Sequence, residues 1–370
     1  INLEFPQIYP TPEMVEHNLG DIWNTVEKTI SQLLEKNQVD KNNILAIGIT
    51  NQRETTCAFT RQGDPLHNAI VWQDRRTSNY CDNLNQEHPD DYFKEKTGLT
   101  INPYFSASKM NWLLGNSDHV KSALQKENLL FGTIDTFLIY KLTGGISHVT
   151  EPSNASRTLL MNLRTSSWDE ELLNIFNIPV DTLPKIEDSF GEFGVTSGLS
   201  FLPDGIPITG VLGDQQSALF GQAGVNKGDM KCTYGTGAFM LVNSGEDIIN
   251  SKNGLLSTVA YMENGKCVYA LEGSSYIAGA AVQWLRDNLK IIETAPQVEA
   301  LANEVTDLNE MKNILFLPFF TGIGSPHWVA EANAAILGIT RGTSNSHLAR
   351  ACLEGIALSI NDLINAIKID

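Results

Sequence analysis

Residues 210–221 read Gly-Val-Leu-Gly-Asp-Gln-Gln-Ser-Ala-Leu-Phe-Gly and follow Ile206-Pro207-Ile208-Thr209. An apolar run that stops at a glycine, a carboxylate and two amides reads as a buried strand breaking into a turn. Ala218, Leu219 and Phe220 then open a helix. Asp214 sits where strand gives way to helix, the place where open α/β sheets put their chemistry. Two readings stay open. The carboxylate caps the helix by accepting N–H groups of its first turn. Alternatively, it holds a substrate hydroxyl and takes its proton, with Gln215 beside it to bind a neighbouring hydroxyl.

The same pattern recurs upstream. Ile44-Leu45-Ala46-Ile47-Gly48-Ile49 is an unbroken apolar run that suits a strand buried on both faces of a parallel sheet. It ends at Thr50-Asn51-Gln52-Arg53-Glu54-Thr55-Thr56. Arg53 and Glu54 set a donor fork beside an acceptor. In a pocket they would hold two hydroxyls of a polyol; on a surface they are an ion pair worth ~0–1 kcal/mol. Ala69-Ile70-Val71-Trp72 predicts a second short strand. Trp72, Tyr104 and Phe239 lie near these polar clusters, either as core residues or as a wall for the carbon side of a polyol.

Leu19, Ile22, Trp23, Val26, Ile30, Leu33 and Leu34 recur at helical spacing behind Asn18, a cap residue. Helices are also expected through Lys109 to Leu113, from Ile277 to Leu289 and from Ser344 to Ile367. Leu129 to Leu142 is an apolar stretch interrupted by Asp135, and residues 150–205 say little about chemistry. After Gly224 the texture changes to alternating strands, Lys231–Asn243, Leu255–Glu263 and Lys266–Leu271. Asn264-Gly265 marks a two-residue hairpin between the last two. Thr233-Tyr234-Gly235-Thr236-Gly237-Ala238-Phe239 is a small-residue turn, either a tight hairpin or a phosphate cradle built from backbone N–H groups and a hydroxyl. It lacks the Gly-Lys-Ser/Thr ending of a Walker loop.

With 370 residues the chain exceeds one ordinary core, so two domains are expected, 1–223 and 229–370 around a linker-like Gly224-Val225-Asn226-Lys227-Gly228. Its 26 basic and 43 acidic residues leave a net charge of −17. Phosphate backbones and anionic lipid surfaces repel such a chain, so neither nucleic acid nor membrane is an expected partner. No apolar stretch approaches the ~18 residues of a membrane span. Five scattered cysteines and seven separated histidines show no metal-ligand spacing, so no metal site is read from them. Reduced thiols and a cytoplasmic location are the simplest expectation. Because the chain starts at Ile1 and ends in an unfinished helix, it also reads as a fragment.

Four segments now carry a resemblance: Gly48-Ile49-Thr50-Asn51-Gln52-Arg53-Glu54-Thr55, Asn68-Ala69-Ile70-Val71-Trp72-Gln73, Gly213-Asp214-Gln215-Gln216 and Thr233-Tyr234-Gly235-Thr236-Gly237. They resemble the glycerol kinases, a branch of the FGGY carbohydrate kinases, over nearly the whole chain. The resemblance implies an α/β, two-domain, actin-like or ribonuclease-H-like ATPase fold with mixed sheets flanked by helices. It implies transfer of phosphate from ATP, with Mg²⁺, to glycerol. Arg53, Glu54, Tyr104, Asp214 and Gln215 match glycerol contacts, and Trp72 and Phe239 match the aromatics against its carbons. Asp214 matches the general base, and Thr236, Gly279 and Gln283 match nucleotide contacts. A homo-oligomer, dimer or tetramer, is implied too. The family's opening Asp-x-Gly-Thr phosphate loop and its later Gly-Gly adenosine segment have no counterpart here, which implies an incomplete ATP site. Val329 stands where an acidic or amide residue is usual. The rival expectations are a kinase for another polyol or ketose, an ATP-hydrolysing chaperone or filament protein, and a truncated form that binds glycerol without turnover.

Overall fold

The computed structural model describes residues 1–89, 91–329 and 331–370. These form two compact units. One comprises Ile1–Ser217 with Glu246–Ile248 and Thr258–Tyr269; the other comprises Ala218–Gly245, Ile249–Ser257 and Ala270–Asp370.

In the first unit the periodic apolar stretch becomes α1 (Leu19–Lys36), and Asn18 caps it by accepting the Asp21 N–H. The apolar run at 44–49 departs from expectation. Its strand, β1 (Ile47–Asn51), begins later, and only Asn51 is buried while Gly48 and Thr50 are exposed. Burial on both faces would need cover on each side. Instead Ile47 and Ile49 pack on one side with Leu34, Ile139, Leu142, Ile208 and Val211. Next come β2 (Cys57–Thr60) and α2 (Ser106–Asn116). The stretch from Leu129 divides at Thr133 into β3 (Leu129–Gly132), antiparallel to β2, and α3 (Ile134–Leu142). Phe59, Leu130, Phe137 and Tyr140 make the core between them. A four-residue helix, α4 (Pro152–Ala155), is followed much later by β4 (Ile208–Gly213) and α5 (Asp214–Gly221).

The pairing that matters most is β4 with β1. It is parallel, and its register sets Gly213 opposite Asn51. Both strands therefore end at the same level, and Asp214 and the Gln52-Arg53-Glu54 turn leave the sheet side by side. The expected strand at 69–72 is shorter, Ala69–Ile70.

The second unit is built on β5 (Met230–Tyr234) and β6 (Ala238–Gly245), an antiparallel pair. The hairpin of β7 (Leu256–Glu263) and β8 (Lys266–Ser275) completes the order β5-β6-β8-β7. The base of that hairpin belongs to this unit and its tip to the first. Asn264 and Gly265 at the tip both have positive φ, +51° and +71°, as the tight hairpin turn requires. After α6 (Gly279–Asp287) come the paired β9 (Leu315–Leu317) and β10 (Ala335–Leu337), and α7 (Asn345–Ile369) closes the chain. Cys352, Ile356, Ile360 and Leu363 of α7 join Ala281, Leu285 and Phe316 in one core. Among the described residues no helix is long and apolar enough to cross a membrane.

Helix α7 approaches β9 closely because residue 355 has no side chain. A Cβ on Gly355 would lie 2.2 Å from the Phe316 carbonyl oxygen, whereas one on Gly115 near the end of α2 would meet nothing within 4 Å. Exchanging glycine for alanine in a helix ordinarily stabilises by ~0.4–1 kcal/mol. Opposite signs are expected here: Gly115→Ala raises the urea midpoint, whereas Gly355→Ala lowers it, with a loss of roughly 1–3 kcal/mol in stability through overpacking. A raised midpoint for Gly355→Ala would refute the close approach.

Candidate active site

Six of the residues singled out from the sequence, Arg53, Glu54, Trp72, Tyr104, Asp214 and Gln215, lie in the first unit. The β1–β4 register brings the two polar clusters together. Arg53 Nε stands 3.4 Å from Asp214 Oδ1 and 3.8 Å from Glu54 Oε1. Its Nη1 donates to Gln216 Oε1 at 3.2 Å. Gln216 is itself tied by its amide nitrogen to Thr258 Oγ1 and the Val259 carbonyl. The arginine stem lies against Gly213, where a Cβ would come within 2.6 Å of Arg53 Cγ, so glycine is required at the strand end.

Arg53 and Glu54 are 2% and 1% exposed, so they are not the surface ion pair that their sequence also allowed. Burying such a carboxylate is costly unless cations and donors meet it. Arg157 meets it, donating from Nε to Glu54 Oε1 at 2.6 Å, and is fully buried. Glu54 itself has φ +58°, a left-handed backbone that non-glycine residues seldom adopt. Its carbonyl oxygen accepts from Ser106 Oγ at the start of α2 and from Thr56 Oγ1, which fixes that turn.

Asp214 contrasts with these neighbours: its side chain is 44% exposed. It opens α5, yet its Oδ1 accepts from the adjacent Gln215 N–H, and its Oδ2 accepts from Gln215 Nε2. A cap would reach the amides two or three residues on. The capping reading is therefore not the one that the geometry shows, and the carboxylate keeps a solvent-facing side.

The aromatics form a wall. Trp72 and Tyr104 meet edge to face with ring centroids 5.6 Å apart. The Arg157 guanidinium lies 5.6 Å from the Tyr104 ring and 5.3 Å from that of Phe105. Lys109 holds the backbone beneath them, donating to the carbonyls of Tyr104 at 2.6 Å and Phe105 at 3.4 Å. It is wholly buried, and burial pushes its ammonium down to about 8, against the pull of Glu54 and Asp74. Arg157 and Lys109 escape sequence reasoning because the partners they serve lie far along the chain or on the backbone. Arg157 falls within residues 150–205, where no periodicity or spacing points to chemistry.

The other four residues, Thr236, Phe239, Gly279 and Gln283, lie in the second unit. The Gly-Thr-Gly turn joins β5 to β6 and docks on the start of α6. Gly279 N–H donates to the Gly235 carbonyl, and the Ala278 and Ala280 amides donate to that of Thr236. A Cβ on Gly279 would lie 2.5 Å from the Gly235 oxygen, and one on Gly237 would lie 2.6 Å from the Ser275 oxygen. Both glycines are thus needed for backbone contact, and Thr236 and Gln283 remain exposed at its rim. Phe239 stands on β6 opposite Thr233, partly buried. Among the described residues no group of three His, Cys, Asp or Glu side chains is arranged to hold a metal ion.

Comparison with known proteins agrees over the whole chain. The FGGY family of carbohydrate kinases matches with its N-terminal domain at residues 2–221 and its C-terminal domain at residues 230–370. A glycerol kinase of Myxococcus xanthus is 50% identical over 370 residues, which cover 99% of this chain and 74% of that protein. One from Staphylococcus haemolyticus is 45% identical over 368 residues, 99% and 73% of the two chains. The crystal structure of Plasmodium falciparum glycerol kinase with ADP superposes with a TM-score of 0.89 at 37% identity, covering 100% of this chain and 74% of that one. A ligand-bound xylulose kinase from Lactobacillus acidophilus shares the fold, with a TM-score of 0.83 at 23% identity over 98% and 72% of the chains. The chain thus spans about three quarters of the length of the relatives it matches. With both domains matched and half of its residues shared with a curated relative, the chain belongs to the FGGY family of carbohydrate kinases.

Proposed function

We propose that this chain phosphorylates glycerol, taking the γ-phosphoryl group of Mg-ATP and giving sn-glycerol 3-phosphate and ADP. The observation that carries the reading is the half-exposed Asp214 carboxylate 3.4 Å from a buried arginine, in a chain 50% identical to a glycerol kinase. Arg53 donates to one hydroxyl of the polyol, and Glu54, held by Arg157, accepts from another. Trp72 and Tyr104 pack against its carbons, and Gln215 steadies the hydroxyl next to the reacting one. The assignment of Phe239 to the glycerol carbons rests on the sequence resemblance.

Asp214 takes the proton of the terminal hydroxyl as that oxygen attacks phosphorus. General-base help of this kind is worth ~10²–10⁴ in rate. The remaining barrier falls through alignment and charge stabilisation on the phosphates. Residues 1–223 act as the glycerol-binding domain and residues 229–370 as the nucleotide domain, where Thr236, Gly279 and Gln283 face the nucleotide. Support for this division comes from the turn at 235–237, where the Thr236 side chain is exposed beside the start of α6. Magnesium keeps most of its waters and takes one or two carboxylates besides phosphate oxygens. The solvent-facing side of Asp214 fits that demand. The ion, when bound, neutralises charge on the transferring group. All five cysteines are free thiols, in keeping with a cytoplasmic protein. A dimer or tetramer completes the reading.

Three outcomes are expected. Calorimetric titration of glycerol into the chain gives saturable heat, and xylulose under the same conditions gives none; the reverse order of preference would move the substrate to a ketose. Asp214→Asn lowers turnover by ~10²–10⁴ while glycerol affinity changes less than about threefold, and near-normal turnover would remove the base assignment. Arg157→Met removes a cation 2.6 Å from the buried Glu54 carboxylate, at a cost of roughly 3–5 kcal/mol in urea unfolding. A variant as stable as the parent would show that the carboxylate is satisfied without Arg157.

A further inference from the structure

Beneath the site lies a second carboxylate with no role so far. Glu151 is fully buried at the start of α4. Five donors converge on its two oxygens. Oε1 accepts from Ser153 Oγ at 2.5 Å, Asn154 N at 2.7 Å and Asn154 Nδ2 at 3.0 Å. Oε2 accepts from Ser153 N at 2.8 Å and Ser189 Oγ at 2.7 Å. Two of these bonds are what any helix cap makes. The other three come from side chains that each reach on to another strand.

Ser153 Oγ accepts the Gly213 N–H at 2.8 Å, and Gly213 directly precedes Asp214. Asn154 and Asn51 exchange amide hydrogen bonds of 2.9 and 3.1 Å, and Asn51 ends β1 just before the turn with Arg53 and Glu54. Ser189 Oγ accepts the Met262 N–H, and its carbonyl oxygen accepts the Val211 N–H of β4. One anion therefore braces the ends of both strands from which the site residues project. Capping a four-residue helix needs no such span.

We propose that Glu151 is a positioning residue whose ionised carboxyl group, acting through Ser153 and Asn154, holds the ends of β4 and β1 in register and so aims Asp214 and Arg53. The proposal rests on the kinase reading for its activity readout but not for its structural one. The donors on the two oxygens favour the carboxylate over an amide, whose NH₂ on either side would face an N–H of Ser153 or Asn154. Burial pushes the carboxyl up to about 7, and Asp135 of α3 pushes it the same way. The hydrogen bonds from Ser153 and Ser189 pull it the other way.

The test compares Glu151→Gln, Ser153→Ala and Ser189→Ala in the full chain. Readouts are kcat and KM for glycerol, the thermal midpoint, and amide hydrogen exchange in residues 208–217 by mass spectrometry. Ser153→Ala cuts the arm to Gly213 and leaves the Asn51 arm intact. It is expected to lower kcat at least tenfold with KM within threefold, and to speed exchange across 208–217 at least tenfold. Glu151→Gln, which disturbs both arms, lowers kcat and raises KM. Ser189→Ala removes as much bonding from Glu151 but holds Met262, and it leaves kcat within threefold. Equal losses of kcat in Ser153→Ala and Ser189→Ala would reduce Glu151 to a general structural part, and parental kcat and exchange in Ser153→Ala would overturn the proposal outright. Should the parent fail to phosphorylate glycerol, the kinetic readout drops out, and the exchange of residues 208–217 in Ser153→Ala still decides the positioning role. Should Glu151→Gln fail to fold, the two serine variants decide it.

Discussion

The site depends on keeping a carboxylate charged where water does not reach. Glu54 is 1% exposed, and transferring an unpaired anion to such a place would cost several kcal/mol. Arg157 at 2.6 Å and Arg53 at 3.8 Å make the burial tolerable. Such an arrangement is weak evidence for net stability, because desolvation offsets most of the attraction. What it supplies is direction. A guanidinium bound on one side can offer its remaining N–H groups only along fixed lines, and Arg53 is held by Gln216 as well. Lys109 and Ser106 do the same for the backbone of the aromatic wall and the Glu54 turn. A small polyol has little surface to grip, so the precision has to come from the protein.

Parallel pairing delivers these groups to one place. Because β1 and β4 end in register, two polar segments about 160 residues apart in sequence become neighbours without any long loop. The Glu151 network lies on the same two strand ends. In each case a buried carboxyl group is met by neighbours and by one partner from a distant segment, Arg157 for Glu54 and Ser189 for Glu151. This explains why residues 150–160, plain in sequence, are so thoroughly buried.

Much of this was legible in the chain itself. Arg53-Glu54 and Asp214-Gln215 stand out because each breaks an apolar run, and that break is the physical signature of a strand end. The helices α1 and α7 and the Asn264-Gly265 hairpin were legible for similar reasons of spacing and turn chemistry. Illegible were Arg157, Lys109 and Glu151, whose meaning lies in partners on other segments or on the backbone. The burial of β1 on both faces was also misread. Composition shows that a strand is apolar, but the number of neighbours it has is a tertiary property. Gly237 was visible in a small-residue turn and Gly279 only through the resemblance, yet the reason for each is a close backbone approach, to the Ser275 carbonyl for Gly237 and to the Gly235 carbonyl for Gly279.

The left-handed backbone at Glu54 narrows what evolution can do with this pocket. Glycine adopts φ near +58° freely, asparagine and aspartate tolerate it, and β-branched side chains scarcely do. A gene drifting toward a different acceptor cannot simply sample all twenty amino acids at position 54. β-Branched substitutions there would lose stability before any new specificity was tested. The accessible route runs through the walls, at positions such as 72 and 104, where aromatic exchange leaves the main chain undisturbed. On that argument, changes of substrate among chains of this fold should accumulate around the rim of the pocket while its acidic anchor stays put.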